Sequence, residues 1–302
     1  LKAFRLPVGE PQARKLVENF RAALKPPLDL DWKPSSSALY DALWRPFEDE
    51  IKSKRVCVMP SGALHLVPFA ALWDGQKCLG RNRVFSYCPS LAVFACKRQK
   101  EARWNRGVYG WADPAMLDGT PRLPFAREEV RLLAQLFPKT QIFLDSTADR
   151  ESVKTVASEA GLLHFACHAE FHEGQPLASC LRLAQKERDP DGRLTAEDVF
   201  TLKLDRCELV VLSACQTSLG RLKDADEMTS LARAFMISGS KNVLSSLWRV
   251  EDKATCEWMQ HFYRHLDEGS VDKSVAQAQL EMMEKYPHPF HWAGFVLNGK
   301  CD

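Results

Sequence analysis

The sequence predicts an α/β protein built on a mostly parallel sheet with helices on both faces, preceded by a smaller helical and β-hairpin subdomain. Three observations lead there. From residue 107 onward, short apolar runs alternate with amphipathic segments of helical period. Several of those runs are apolar throughout, as strands buried on both faces require. Before residue 100 the apolar spacing is instead mainly helical.

Taken in order, Pro11 suits a first helical turn, and Leu16, Val17, Phe20 and Leu24 recur at helical spacing until Pro26 and Pro27 end the pattern. Ser35, Ser36 and Ser37 offer caps for a second helix with Leu39, Leu43, Phe47 and Ile51 on its apolar stripe, and Pro46 predicts a break. Arg55–Met59 and Leu64–Val67 flank Pro60-Ser61-Gly62 and read as two strands around a turn. The basic stretch Lys97–Arg106 is the expected connection, dividing the chain into 1–103 and 104–302. Strands follow near Gly107–Ala112, Gln141–Leu144, Leu162–Cys167, Leu209–Ala214, Val243–Trp248 and Ala293–Leu297. Helices lie between them near Arg127–Phe137, Arg150–Ala157, Glu227–Ser238, Lys253–Leu266 and Val271–Tyr286. The helix from Glu227 turns Met228, Leu231, Phe235 and Ile237 inward and stops at Gly239.

The 302 residues suffice for about two average domains or one large α/β unit. Hydrophobic residues at 45% and charged residues at 26% exclude a disordered or low-complexity chain. Forty-one Lys plus Arg against thirty-nine Asp plus Glu, without long single-sign blocks, predict neither nucleic-acid binding nor attraction to an anionic membrane. No apolar run reaches the ~18 residues of a membrane span, and Leu1–Glu10 does not resemble a signal peptide. Ten scattered cysteines without a CxxC pair fit reduced thiols in the cytoplasm. The first residue is not Met, so a fragment with an upstream partner domain is expected.

In open α/β sheets function gathers beyond the carboxyl ends of the strands. Two such ends carry reactive residues: Leu162–Cys167 breaks at His168, and Leu209–Ala214 breaks at Cys215. A thiolate is the reactive form of cysteine, and an imidazole meeting it at a solvent-facing edge can take or return its proton. The plainer readings are a small buried hydrophobe for Cys215 and a backbone-bonded structural histidine for His168. His164 and His172 bracket His168 at a spacing that would bring metal ligands together on a helix but not on a strand. No metal or other cofactor is therefore expected, and His164 reads as structural.

His164-Phe-Ala-Cys-His168-Ala-Glu-Phe171, Val211-Leu-Ser-Ala-Cys215-Gln-Thr217 and the run from Asp226 to Asp252 closely resemble the CHAT family of caspase-like cysteine proteases. Met59-Pro-Ser-Gly-Ala-Leu-His-Leu-Val-Pro-Phe-Ala-Ala-Leu72, Leu123-Pro-Phe-Ala-Arg-Glu-Glu129 and His291-Trp-Ala-Gly-Phe-Val-Leu297 extend the likeness over nearly the whole chain. The interval from His168 to Cys215 is also close to the ~50 residues that separate these two residues in caspases.

The resemblance implies a caspase-like fold and an endopeptidase acting on protein or peptide substrates through an acyl-enzyme. Cys215 would be the nucleophile and His168 the proton carrier, with backbone N–H groups of Ala169 and Cys215 forming the oxyanion hole. Relatives usually carry Gly after this histidine; Ala169 keeps the donor but fits poorly if the turn needs positive φ. Ser213 would face the first substrate pocket, while Ser246, Leu247 and Trp248 would form an edge for an extended peptide. Trp248 reads equally as a core aromatic. Asp252 and Asp226 would offer negative charge to a basic substrate residue, or simply cap helices. The short segment between Cys215 and Glu227 predicts single-chain action. Relatives often carry tetratricopeptide repeats upstream, which implies control by a repeat or sensor domain. A catalytically silent interaction module on the same scaffold is the alternative.

Overall fold

The structure is a computed structural model, and it describes residues 2–26, 28, 30–90, 107–172, 174–213, 224–266 and 269–299, with 224–230 as backbone only. Helices α1 (Glu10–Ala23) and α2 (Lys33–Leu43) lead into strands β1 (Arg55–Val58) and β2 (Val84–Tyr87). Then come β3 (Gly107–Pro114), α3 (Pro124–Leu136), β4 (Thr140–Asp145), α4 (Arg150–Val156) and β5 (Ala160–Ala166). Three short strands, β6 (His168–Glu170), β7 (Cys180–Arg182) and β8 (Arg193–Thr195), form a separate antiparallel sheet. The chain continues through α5 (Ala196–Phe200), β9 (Leu209–Leu212), α6 (Asp224–Ile237), β10 (Asn242–Ser246), α7 (Asp252–Leu266), α8 (Val271–Lys285) and β11 (Phe295–Gly299).

The main sheet has eight strands in the order β1-β2-β11-β10-β9-β5-β3-β4. Neighbouring strands pair in parallel except β10 and β11. The expected α/β class with a mostly parallel sheet is therefore what this chain adopts. Alternation explains the sandwich. In β9, Leu209 and Val211 enter one core while Val210 and Leu212 enter the other, and in β5 Leu162 opposes Leu163 and Phe165 in the same way. The first core gathers α1, α2, α7 and α8; the second gathers α4, α5 and α6. Strand order runs outward from β3 in one direction to β4 and in the other through β5, β9 and β10, so the switch point lies between β3 and β5.

The expected β-hairpin is replaced by a different pairing. Residues Gly62–Leu66 form a 3₁₀ turn packed between α1 and α6, and β1 pairs in parallel with β2. Gly62 at φ 52° and Pro68 just beyond the turn bend this short apolar run away from extended structure. β1 and β2 also join the main sheet through β11, so segments on both sides of residue 103 share one sheet and one core. Ser35–Ser37 lie inside α2 and do not cap it. Ser36 Oγ donates to the Ala71 carbonyl at 2.8 Å and accepts from Trp73 N at 2.9 Å, tying α2 to residues 71–73. Pro46 does break the helix, which gives way to a 3₁₀ segment over Arg45–Glu50.

Ile237 is 67% exposed, contrary to its expected inward position, because Leu231, Ala234 and Phe235 take the buried face of α6. Gly239 ends that helix at φ 117°, where a Cβ would lie 2.5 Å from Asp205 N. Gly239→Ala should therefore cost about 2–3 kcal/mol from strained φ and backbone overlap, read as a lower urea midpoint. Cys78, Cys88, Cys180, Cys207 and Cys256 are free thiols, and among the described residues no helix is long and apolar enough to cross a membrane. Lys97–Arg106 lies outside the described residues.

Candidate active site at the carboxyl edge of the sheet

β5 and β9 are parallel neighbours, with Phe165 opposite Leu212, so their carboxyl ends open on the same edge. His168 follows the first end and Ser213 the second, and both line one cleft. Cys215 lies outside the described residues, two positions beyond Ser213, as does the linker from Cys215 toward Glu227.

His168 Nε2 lies 2.9 Å from the Pro121 carbonyl oxygen. A carbonyl can only accept, so Nε2 carries the proton and Nδ1 of the neutral ring keeps its lone pair. That tautomer suits a base working from Nδ1.

The Pro121 carbonyl is itself held. Asp113, next to last in β3, has φ 46° and Asp145 ends β4 at φ 50°, both left-handed, a conformation that Asp tolerates better than most residues. Arg122 donates from Nε to Asp113 Oδ1 at 2.8 Å and from Nη2 to Oδ2 at 2.7 Å, Arg127 Nε donates to Oδ2 at 2.6 Å, and Leu123 N donates to Oδ1 at 2.8 Å. Both arginines also bond Asp145. Burial alone would push the Asp113 carboxyl up. The Arg122, Leu123 and Arg127 hydrogen bonds outweigh it and hold it at about 2. This network was not foreseen, because its key acceptor is a backbone carbonyl and its carboxylates sit far apart in sequence.

The cleft beside His168 has apolar walls from Leu123, Phe125 and Ala126. Glu129, Ser213, Thr255, Asp252 and Arg249 supply its polar groups. Asp252 starts α7 and so stands at the cleft as well as at a helix terminus. The side chain of Asp226 lies outside the described residues.

The expected peptide edge is occupied. Ser246 ends β10 opposite Phe295 and is 8% exposed. Leu247 N donates to the Gly294 carbonyl at 2.7 Å, and the Leu247 carbonyl accepts from Arg21 Nη2 at 2.9 Å. Trp248 is 1% exposed, donates from Nε1 to the Phe290 carbonyl at 2.9 Å, and lies under the Arg21 guanidinium. It is a core aromatic here rather than an open stacking surface. The interior place of β10 between β9 and β11 explains both facts.

Ala169 lies in extended β6, and the described non-glycine residues at positive φ are Asp113 and Asp145. The replacement of Gly therefore imposes no φ penalty. His164 is fully buried, with Nδ1 2.6 Å from the Tyr263 hydroxyl and Nε2 3.3 Å from Glu129 Oε2. It is structural, as expected. Away from it, Glu170, His172 and Cys180 bring one donor atom each within 4.8 Å of one another. Arg193 Nη2 stands 3.1 Å from Glu170 Oε2, and Arg182 pairs with Oε1, so guanidinium charge already answers this carboxylate and the set fits a cation poorly.

Comparison with known proteins agrees with this architecture. Tetratricopeptide repeat protein 28 of Homo sapiens and that of Mus musculus are each 27% identical to this chain over 326 residues, covering 88% of it. The chain spans only 13% of the length of those relatives. Among solved structures, a Saccharomyces cerevisiae separase–securin complex matches with a TM-score of 0.54 and 15% identity, over 98% of this chain and 21% of the other. The complex of Porphyromonas gingivalis RgpB pro- and mature domains matches with 0.55 and 13% identity, over 96% and 76%. The Arg-specific cysteine proteinase gingipain R matches with 0.52 and 11% identity, over 96% and 74%. At such identities the likeness is one of fold alone. The CHAT domain profile, however, matches residues 33–300, and this chain belongs to the CHAT domain family.

Proposed function

We propose that this domain is a caspase-like cysteine endopeptidase acting in the cytoplasm under the control of an upstream repeat or sensor region. Residues 104–302 carry the chemistry and 1–103 buttress the sheet. The observation that carries the reading is His168, fixed by the Pro121 carbonyl at the switch-point edge, beside the strand end that runs on to Cys215.

In the mechanism, His168 Nδ1 takes the Cys215 thiol proton, and the thiolate sulfur bonds to the substrate carbonyl carbon. The oxyanion accepts from the Ala169 and Cys215 N–H groups. Collapse breaks the C–N bond, and the leaving amine takes the proton from His168. Water then gives a proton to His168 while its oxygen attacks the thioester, and the thiol leaves with that proton restored.

The test is mapping of new protein N-termini in a proteome treated with wild type, Cys215→Ala or His168→Ala. Termini made by wild type should vanish in both variants; the same termini in all three would overturn the mechanism. A cysteine-reactive probe gives a second readout. Burial pushes Cys78 and Cys207 up to about 12 and Cys180 and Cys256 up to about 11, so these thiols stay protonated at neutral pH. Labelling should therefore favour Cys215 and fall when His168 is replaced.

The occupied Leu247 edge favours a second reading, a silent interaction module whose groove stays closed. Absence of both cleavage and His168-dependent labelling in the full-length protein, with its partners present, would select it.

A further inference from the structure

A second concavity lies beside the amino ends of β1 and β2, among residues that the site at His168 does not use. It is a basin of about 810 Å³, within the size range of binding sites. Its lining carries five cationic side chains, Lys52, Lys54, Lys77, Arg81 and Arg83, against two carboxylates, Glu48 and Asp74.

Both carboxylates are already turned to their own chain. Glu48 accepts from the Tyr40 hydroxyl and, at 3.3 Å, from Trp44 Nε1, while Asp74 Oδ1 accepts from the Gln76 and Lys77 N–H groups at 2.7 and 2.8 Å. The cations are less committed. Lys52, Lys54 and Lys77 are exposed and have no carboxylate within ion-pair distance among the described residues. Arg81 meets Glu284 at 3.0 Å in an exposed pair, which an incoming carboxylate can replace at little cost. Arg83 is held in place, donating to the Ile51 and Ser53 carbonyls at 3.2 and 2.8 Å and lying over the Trp44 ring. The basin therefore concentrates positive charge without its counterpart.

The floor selects among anions. Ile51, Leu79, Val84 and Leu280 line it, and among the described residues no aromatic ring does. A cluster of bare phosphates would leave that apolar surface in water, and a nucleobase would find no ring to stack on. A peptide bearing both acidic and aliphatic side chains answers both features.

Strand direction relates the basin to the cleft. β1 and β2 run parallel to β11, and so opposite to β10, β9 and β5. Their amino ends point the same way as the carboxyl ends that lead to Ser213 and His168. In the sheet β2 lies four places from β5, about 19 Å at ordinary strand spacing. The basin shares no lining residue with the cleft, so a segment bound there leaves the cleft free.

We propose that this basin docks a segment of a partner protein that is both acidic and aliphatic. Its carboxylates accept from Lys52, Lys54, Lys77, Arg81 and Arg83, and its aliphatic side chains cover Ile51 and Leu280. The proposal does not depend on the peptidase reading.

The test is fluorescence anisotropy of a labelled peptide of repeated Glu-Leu-Glu with the full-length protein. Repeated Gln-Leu-Gln and Glu-Ser-Glu peptides remove the charge or the aliphatic groups. Glu-Leu-Glu should bind saturably, and each control should bind about tenfold more weakly. Lys52→Glu with Lys54→Glu should weaken Glu-Leu-Glu about tenfold or more without moving the thermal midpoint, because both side chains are exposed and unpaired. Arg188→Glu with Lys203→Glu makes the same change of net charge at exposed residues outside the basin and should leave binding as it was. Equal losses from the two double variants, or none from the first, overturn the site. Equal binding of Glu-Leu-Glu and Gln-Leu-Gln overturns the charge reading. Binding of Glu-Ser-Glu as tight as Glu-Leu-Glu, or displacement by inorganic triphosphate or oligothymidylate as effective as by unlabelled peptide, overturns the polypeptide as occupant.

Discussion

Asp113→Asn should lower stability by about 2–3 kcal/mol and slow the proposed peptidase at least tenfold in kcat with little change in KM. Removing one partner of a buried ion-paired network costs about 3–5 kcal/mol when the remaining charge is sealed from water. Here the figure is lower, because Arg122 is 50% exposed and Arg127 26% exposed, and both retain Asp145. The catalytic effect follows from geometry: Asp113 holds Arg122 and Leu123, the two residues after Pro121, whose carbonyl fixes the His168 ring. Asp113 is thus a positioning residue, and a freely rotating imidazole would affect the chemical step more than binding.

The same substitution has a pH signature. The Asp113 carboxyl sits at about 2 in the folded protein, against an ordinary value of 3.8. A lowered folded pKa contributes stability that is present above the unfolded value and is lost as pH falls through the folded one. The Asp113 contribution, about 2 kcal/mol by that linkage, should therefore be complete above about pH 4 and fade toward pH 2. Asp145, Asp149 and Asp198 are also held low, so wild type has several acid-sensitive groups. Urea midpoints at pH 7 and pH 3 for both proteins isolate the one in question: the gap between wild type and Asp113→Asn should shrink at the lower pH. A constant gap would mean that the carboxylate charge is not what holds the loop.

Why His168 was legible in the sequence while its support was not comes down to the kind of interaction involved. An apolar strand that breaks into His168 at its carboxyl end has a linear signature, and so do the alternating cores fed by β5 and β9. The hydrogen bond to Pro121 uses a backbone carbonyl, which every residue has. Asp113 and Asp145 matter because their backbones turn left-handed at neighbouring strand ends, which spacing does not reveal. Glu129 lies in a helix rich in charge, where an acidic side chain ordinarily faces water, yet this one is 4% exposed. Short apolar runs misled in a different way. Leu64–Val67 has strand-like composition, but four residues carry too little periodicity to separate an extended segment from a single 3₁₀ turn. The ambiguity at Trp248 was of the same kind, since an indole suits a core or a binding surface equally, and only its burial under Arg21 decides.

The sheet that presents this edge depends on an aromatic stack at its centre, and Trp111→Ala should cost about 4–5 kcal/mol. Trp111 lies in β3 between β5 and β4, is fully buried, and stacks on Phe165 at 4.9 Å and Phe143 at 5.1 Å. Its Nε1 donates to Ser152 Oγ at 2.8 Å, linking the stack to α4. Truncation leaves a cavity at about 3–5 kcal/mol and removes two aromatic contacts worth about 0.5–1.5 kcal/mol each, part of which the first figure already contains. Against a typical stability of about 5–15 kcal/mol, such a loss leaves a marginal protein. Trp111→Phe keeps most of the stack and leaves Ser152 its bonds to the Thr147 and Asp149 carbonyls, so it should cost only about 1–2 kcal/mol. Urea denaturation of the two variants decides between packing and the hydrogen bond: similar losses for Phe and Ala would assign the stability to Nε1 and sink the stacking argument. A large loss for Ala and a small one for Phe would mean that β3 and β5 are kept in register by apolar contact, and with them the distance between the Asp113 end of one strand and the His168 end of the other.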